Sequence, residues 1–238
     1  MKFLPGLLCA ALWALPQPRP FEAAFRTRQL VMVTASDWNA PTGKLSFYEH
    51  TENGWRFLLK DIPVTLGKKG MAWGKGLHPA EWNVGTQKRE GDGKSPAGIF
   101  RITSLFGYGD FDSKMPYQKA DSTLYCVDDA ASVHYNRLVR SGEVTKDWES
   151  AETMRRNDHQ YKLGAVVAYN TEPVMPGAGS CIFLHIWRSP GSGTAGCTAM
   201  TEVNLLSLLR VLDPAKNPTL IQMPEAEWQK VRSRYLLP

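Results

Sequence analysis

Apolar positions along this chain recur mostly in short runs, and they predict strands before helices. Gln29–Thr34 is one such run. Lys44–Glu49 and Trp55–Lys60 flank Thr51-Glu52-Asn53-Gly54, whose Asn-Gly pair predicts a hairpin turn. Asp61–Leu66 continues the pattern. Gly67 to Gly98 is rich in glycine and charge and reads as surface loops. Ile99–Phe106 returns to strand, and Phe106–Asp121 is a turn-rich insertion carrying Tyr108, Phe111 and Tyr117. Leu163–Tyr169 is apolar on both faces, as a central strand is, and Ser180–Trp187 and Thr219–Met223 add two more. Helical spacing comes late. Asp147 is an expected N-cap for a short helix to Arg156, with Trp148, Ala151 and Met154 facing inward. Thr201 caps a second, where Leu205, Leu208, Leu209 and Leu212 recur at i, i+3, i+4 and i+7 until Asp213-Pro214 ends it. Glu225–Tyr235 closes the chain as a third. No repeat and no second-domain boundary interrupts this pattern, so we expect one mainly β domain with peripheral helices.

Composition narrows the function. With 238 residues, 43% hydrophobic and 21% charged, the chain is neither disordered nor fibrous. The net charge of +5 suits an anionic partner such as nucleic acid, a membrane surface or a cell-wall polymer, and the scattered Lys and Arg make nucleic acid the weaker choice. No apolar run approaches the ~20 residues that a spanning helix needs. At the start, Lys2, the apolar Phe3–Leu15 and the prolines Pro16, Pro18 and Pro20 read as an export leader over residues 1–24, leaving 25–238 as the domain. If Cys9 departs with the leader, Cys126, Cys181 and Cys197 remain, an odd count. Cys126 and Cys181 as a disulfide, or as two buried thiols, are both open at this point.

The chemistry concentrates in Ser180–Met200. A period of two sends Ile182, Leu184 and Ile186 to one face, and Cys181, Phe183, His185 and Trp187 to the other. The first face belongs in the core; the second, with a titratable imidazole, suits a cleft wall. A polar, glycine-rich loop follows, then Cys197, then the capped helix. Free backbone N–H groups near a helix start lower a thiol's pKa and bind a developing oxyanion, and Gly196 lets the backbone approach a substrate carbonyl. A loop of twelve positions is long enough to fold Cys197 back onto His185, which is the natural base near neutral pH.

His185 followed by a glycine-containing loop and Thr194-Ala195-Gly196-Cys197 resembles the signature of L,D-transpeptidase catalytic domains of the YkuD type. The upstream GDGKSPAGIFRI is similar to that family's Pro-x-Gly-x-Phe strand, here Pro96, Gly98 and Phe100. The resemblance runs from Gln29 to Met223. It implies a β barrel or sandwich and a bacterial, envelope-located enzyme acting on peptidoglycan stem peptides. Cys197 is then the nucleophile, His185 the base, and Gly196 part of the oxyanion site. Thr194, Ala195, Trp187 and Arg188 are the implied substrate contacts. The implied reaction forms a thioester that an acceptor amine resolves into a 3→3 cross-link; the same cysteine with water gives an L,D-carboxypeptidase. A peptidoglycan-binding protein that keeps the fold without the chemistry is a further alternative.

No cofactor or metal is implied: His50, His78, His134 and His159 lack ligand spacing with any Cys or acidic cluster. The chain departs from the family's usual arginine two positions after the cysteine, where it has Ala199. Arg188, Lys88 and Arg89 are the candidates to replace it. Tyr135, Asn136 and Trp148 are read as packing residues before cleft residues, Asp128-Asp129 as a turn, and Trp73 and Trp82 as core or rim before a sugar platform.

Overall fold

The structure is a computed structural model and describes residues 21–235 and 237. The leader expected over 1–24 lies mostly outside the described residues. A short helix, α1 (Phe21–Phe25), runs across its expected boundary. Phe21 and Phe25 pack with Tyr235, at ring centroid distances of 5.8 and 5.4 Å.

The strands are β1 (Gln29–Ala35), β2 (Thr42–Thr51), β3 (Gly54–Thr65), β4 (Met71–Trp73), β5 (Ser95–Gly107), β6 (Tyr117–Lys119), β7 (Leu124–Val127), β8 (Leu138–Arg140), β9 (Ala151–Thr153), β10 (Leu163–Val167), β11 (Phe183–Ile186), β12 (Thr198–Met200) and β13 (Thr219–Pro224). Ten of them form one sheet in the order β10-β11-β12-β3-β2-β1-β13-β5-β4, with β6 beside β5. β10 also pairs with β5, so the sheet curls back on itself like a barrel. The mainly β architecture agrees with the alternation read from the sequence; the Gly67–Gly98 stretch, expected as loops, holds the short β4, a 3-10 turn at Ala80–Trp82 and the first residues of β5.

The β2–β3 hairpin turns where Asn53-Gly54 stands; Gly54 adopts φ +90°, a conformation that glycine takes without cost. The interior is apolar: Leu30, Val31, Val33, Leu45, Phe47, Ile99, Leu220 and Ile221 come from the central strands. Helix α2 (Glu202–Val211) starts at Thr201, whose Oγ1 accepts from the Asn204 N–H at 3.3 Å. It buries Leu205, Leu208 and Leu209, with Leu212 just beyond its end. Each such leucine is worth roughly 1.5–3 kcal/mol. Helix α3 (Glu225–Tyr235) closes the chain over Trp228 and Val231.

The helix expected from Asp147 to Arg156 is not formed. Its place is taken by extended chain and β9, which pairs with β7 in a separate three-stranded sheet, β8-β7-β9. The Asp147 carboxylate instead accepts from Ser132 Oγ at 2.5 Å and the Val133 N–H at 2.9 Å, so it holds a turn on another segment. Trp148 joins Val127 and Val139, whereas Met154 joins Phe106 and Leu124. The apparent helical face therefore served two different clusters.

Candidate active site

β11 and β12 run parallel, with His185 opposite Ala199 and Leu184 opposite Thr198. A parallel pair needs a crossover, and here it is the Trp187–Cys197 loop itself, with no helix in it. Because the side-chain period is two, Phe183 and His185 share the face that Cys197 and Ala199 share on the neighbouring segment. Cys197 thus reaches the level of Phe183, and the Phe183 N–H donates to its Sγ at 3.3 Å. The opposite face, Leu184 and Ile186, goes to the main core as the alternation requires.

Cys197 and His185 line one cavity of about 340 Å³, with Glu152, Arg156, Gln160, Tyr161, Trp187, Arg188, Ser192, Gly193, Thr194 and Ala195. Cys197 is 6% exposed and His185 4%. Trp187, Arg188, Thr194 and Ala195, the expected substrate contacts, line this same cavity. Gly196 does not line the cavity. It packs inward instead: a side chain there would meet the Lys94 carbonyl oxygen at 3.0 Å and Ile182 at 3.3 Å. Its N–H donates to Thr194 Oγ1 at 3.1 Å, and that hydroxyl donates onward to the Cys197 carbonyl at 2.6 Å.

The tautomer of His185 follows from its partner. Nδ1 lies 2.8 Å from the Ile186 carbonyl oxygen, which only accepts, so Nδ1 carries the proton and Nε2 keeps a lone pair. Burial holds the His185 pKa down to about 4. Burial first, and the Glu152 carboxyl second, push the Cys197 thiol well above its ordinary value. The resting pair is neutral imidazole and neutral thiol, with the thiol hydrogen directed to the Cys181 carbonyl at 3.5 Å. The free N–H groups expected to lower the thiol's pKa are outweighed by desolvation.

Two sequence stretches converge behind Cys197. Ser95 Oγ donates to the Cys197 carbonyl at 3.2 Å and accepts from the Gly67 N–H at 2.8 Å. The Lys68 N–H donates to the Thr194 carbonyl, and the Thr194 N–H to that of Leu66, so the Gly67 loop backs the cysteine loop. In the Pro96, Gly98, Phe100 stretch, a side chain at Gly98 would overlap the His78 ring at 2.2 Å. That ring accepts the Ile99 N–H at Nδ1 and donates from Nε2 to Asn83.

Cys126 and Cys181 form a disulfide, and Cys197 is the free cysteine among the described residues. Cys181 takes a left-handed φ of +54°, rare outside glycine, and Asn136 Oδ1 accepts its N–H at 2.9 Å. The bridge ties β7 to the entry of β11, and β9 pairs with β7 so that Glu152 stands opposite Cys126. This carries Glu152, and just beyond it Arg156, onto the cavity. Tyr161 donates its hydroxyl to Glu152 Oε2 and sets its ring edge-on to His185 at 5.3 Å.

Glu152, Arg156, Gln160 and Tyr161 were missed as cavity residues. Three-residue strands show no period, so only the pairing with β7 reveals where β9 points. Of the three candidates to replace the arginine at Ala199, Arg188 alone lines the cavity. Lys88 is buried, and its Nζ is 2.6 Å from Asp92 and 3.0 Å from the Arg89 carbonyl. Tyr135, Asn136 and Trp148 serve packing and hydrogen bonding elsewhere: Tyr135 donates to Glu90, and Asn136 to the carbonyls of Tyr169 and Asn170.

Among the described residues, no helix is long and apolar enough to cross a membrane. Comparison with curated proteins finds no match. Among solved structures, the helical cell shape determining protein Pgp2 from Campylobacter jejuni is similar with a TM-score of 0.37 and 16% identity, over 82% of this chain and 47% of that one. This chain thus spans about half the length of that protein. The family profile for the YkuD L,D-transpeptidase catalytic domain matches residues 34–221, and on that match the chain belongs to the YkuD family.

Proposed function

We propose that this protein is an L,D-transpeptidase of the cell envelope that acts on peptidoglycan stem peptides through Cys197. The observation that carries this reading is one cavity holding a free thiol and an imidazole whose Nε2 is kept unprotonated by the Ile186 carbonyl. Sγ attacks the carbonyl that joins the third stem residue to the terminal D-Ala, and its proton passes to His185 Nε2. With both groups neutral at rest, proton transfer accompanies attack instead of preceding it. Backbone N–H groups of the Ala195–Cys197 turn receive the oxyanion, that of Gly196 once it leaves Thr194 Oγ1; one such donor is typically worth ~10²–10³ in rate. Collapse breaks the peptide bond, the imidazolium protonates the departing D-Ala amine, and a thioester remains. The amine of a second stem peptide attacks the thioester, the thiol is restored, and a 3→3 cross-link results.

Arg188 at the exposed rim is the residue we assign to the donor's carboxylate, with Trp187, Thr194 and Ala195 along the peptide. The Cys126–Cys181 bridge supports export, since disulfides persist in oxidising compartments. The test is product analysis with a tetrapeptide donor and an amine acceptor. Release of D-Ala with a cross-linked dimer is expected. Release of D-Ala with tripeptide alone would assign an L,D-carboxypeptidase, and no release from folded protein would assign a binder.

A further inference from the structure

The cavity contains a carboxylate that the proposed chemistry does not use and that works against it. Glu152 faces Cys197 across the same space, and its negative charge opposes formation of a thiolate. Its Oε2 accepts from the Tyr161 hydroxyl, while no described residue donates to Oε1. Arg156, the nearest cavity cation by sequence, is committed to Asp158 in a two-pronged pair, with Nε 3.0 Å from Oδ1 and Nη2 2.8 Å from Oδ2. Glu152 is not a mobile surface acid: β9 pairs with β7, β7 is bridged to Cys181, and the Tyr161 ring is wedged among Phe106, Phe183 and His185.

We propose that Glu152 is the docking site for a protonated primary amine of the peptide substrate, bound at Oε1 beside Cys197. This rests on, and deepens, the transpeptidase reading. Arg156 is paired with Asp158 and Arg188 stands exposed at the rim, so a cation seated at Oε1 adds positive charge beside Cys197 that neither arginine delivers there. It is attracted by Glu152 and in turn favours the thiolate, so the correct substrate helps to activate its own nucleophile. Burial pushes the Glu152 carboxyl up, as it does the Cys197 thiol, and one ammonium between them relieves both. The groups that act on Glu152 are Tyr161, Arg156, Asp128, Glu90 and Cys197, and Arg156 is the positive one. The amine has two sources in this chemistry: the side chain of the donor's third residue, or the acceptor's amine, which then passes one proton to the freed His185 Nε2 before it attacks the thioester.

The test follows the pH dependence of iodoacetamide alkylation at Cys197, read by peptide mass on the full chain. The probes are Nα-acetyl-lysine amide and its Nε-acetylated form. In the parent protein the free amine should lower the midpoint of the alkylation profile by about one pH unit or more, the effect of an opposite charge within ~4–6 Å, and the acetylated probe should not. Glu152→Gln, which keeps an acceptor for Tyr161, should have the lower midpoint without any probe and no response to either. Equal effects of the two probes, or an undiminished response in Glu152→Gln, would overturn the proposal. Tetrapeptide donors with free and acetylated third-residue amines separate the sources. Discrimination in the acylation step assigns the donor amine; equal acylation with lost cross-linking in Glu152→Gln assigns the acceptor. If neither donor acylates Cys197 while the lysine probe still shifts the profile, the transpeptidase reading fails and the amine site stands.

Discussion

Ser95 Oγ donates to the carbonyl oxygen of Cys197 over 3.2 Å, joining positions 102 apart in sequence. This bond shows why the Pro96–Phe100 motif and the Thr194–Cys197 motif belong to one site. The first is the wall against which the second is bent. Ser95 also satisfies the buried Gly67 N–H, and Gln222 Nε2 holds the adjacent Pro96 carbonyl at 2.9 Å.

Ser95→Ala removes both bonds and leaves the Gly67 N–H buried without a partner. The expected loss is about 1–3 kcal/mol, visible as a lower denaturation midpoint. Acylation of Cys197 should slow as well, because the turn behind it loosens. Unchanged stability and acylation would mean that the Gly67 and Cys197 loops are held by the Thr194 bonds alone.

His185→Ala should fold normally and lose ~10²–10⁴ in the rate of Cys197 acylation, the usual range for a general base. Circular dichroism checks the first half and intact-mass kinetics the second. Full acylation in this variant would remove His185 from the mechanism.

The pH dependence carries a definite sign. Buried neutral His185 is held down to about 4 from an ordinary 6.5, so its contribution to stability is present above 6.5 and is lost as pH falls through about 4. The loss is at most about 3 kcal/mol and should be absent in His185→Asn, measured by denaturant unfolding across that window. The same shift places the acid limb of kcat/KM near pH 4. An acid limb near 6.5 would contradict a buried, neutral base.

Much of this site was legible in the chain, and the reasons are local. The alternation from Cys181 to Trp187 spans enough residues to separate a core face from a cavity face. The leucines of α2 repeat over two full turns. The 147–156 segment carried apolar residues at helical spacing by coincidence, since Trp148 and Met154 belong to different clusters. Glu152 and Arg156 reach the cavity through a disulfide and a strand pairing between distant residues, and neither leaves a periodic trace. Gly196, read as a point of approach for substrate, also packs closely against Lys94, a constraint that the sequence does not reveal.

The disulfide gives a simple count. Of four cysteines, Cys9 lies outside the described residues, so a Cys9→Ser chain leaves three. Two are bridged. Denatured without reductant, that chain should titrate one thiol, and three after reduction. Three before reduction would reject the bridge and, with it, the tether that holds Glu152 over the cavity.

The central claim is that the Cys197 sulfur forms a covalent acyl intermediate inside this cavity. Intact-mass measurement after exposure to a tetrapeptide donor, and to a carbapenem as a more reactive acylating agent, tests it most directly. A single adduct that maps to Cys197 and disappears in Cys197→Ala is the predicted result. A folded, reduced protein that gains no mass from either reagent, or gains it equally in Cys197→Ala, would contradict the account.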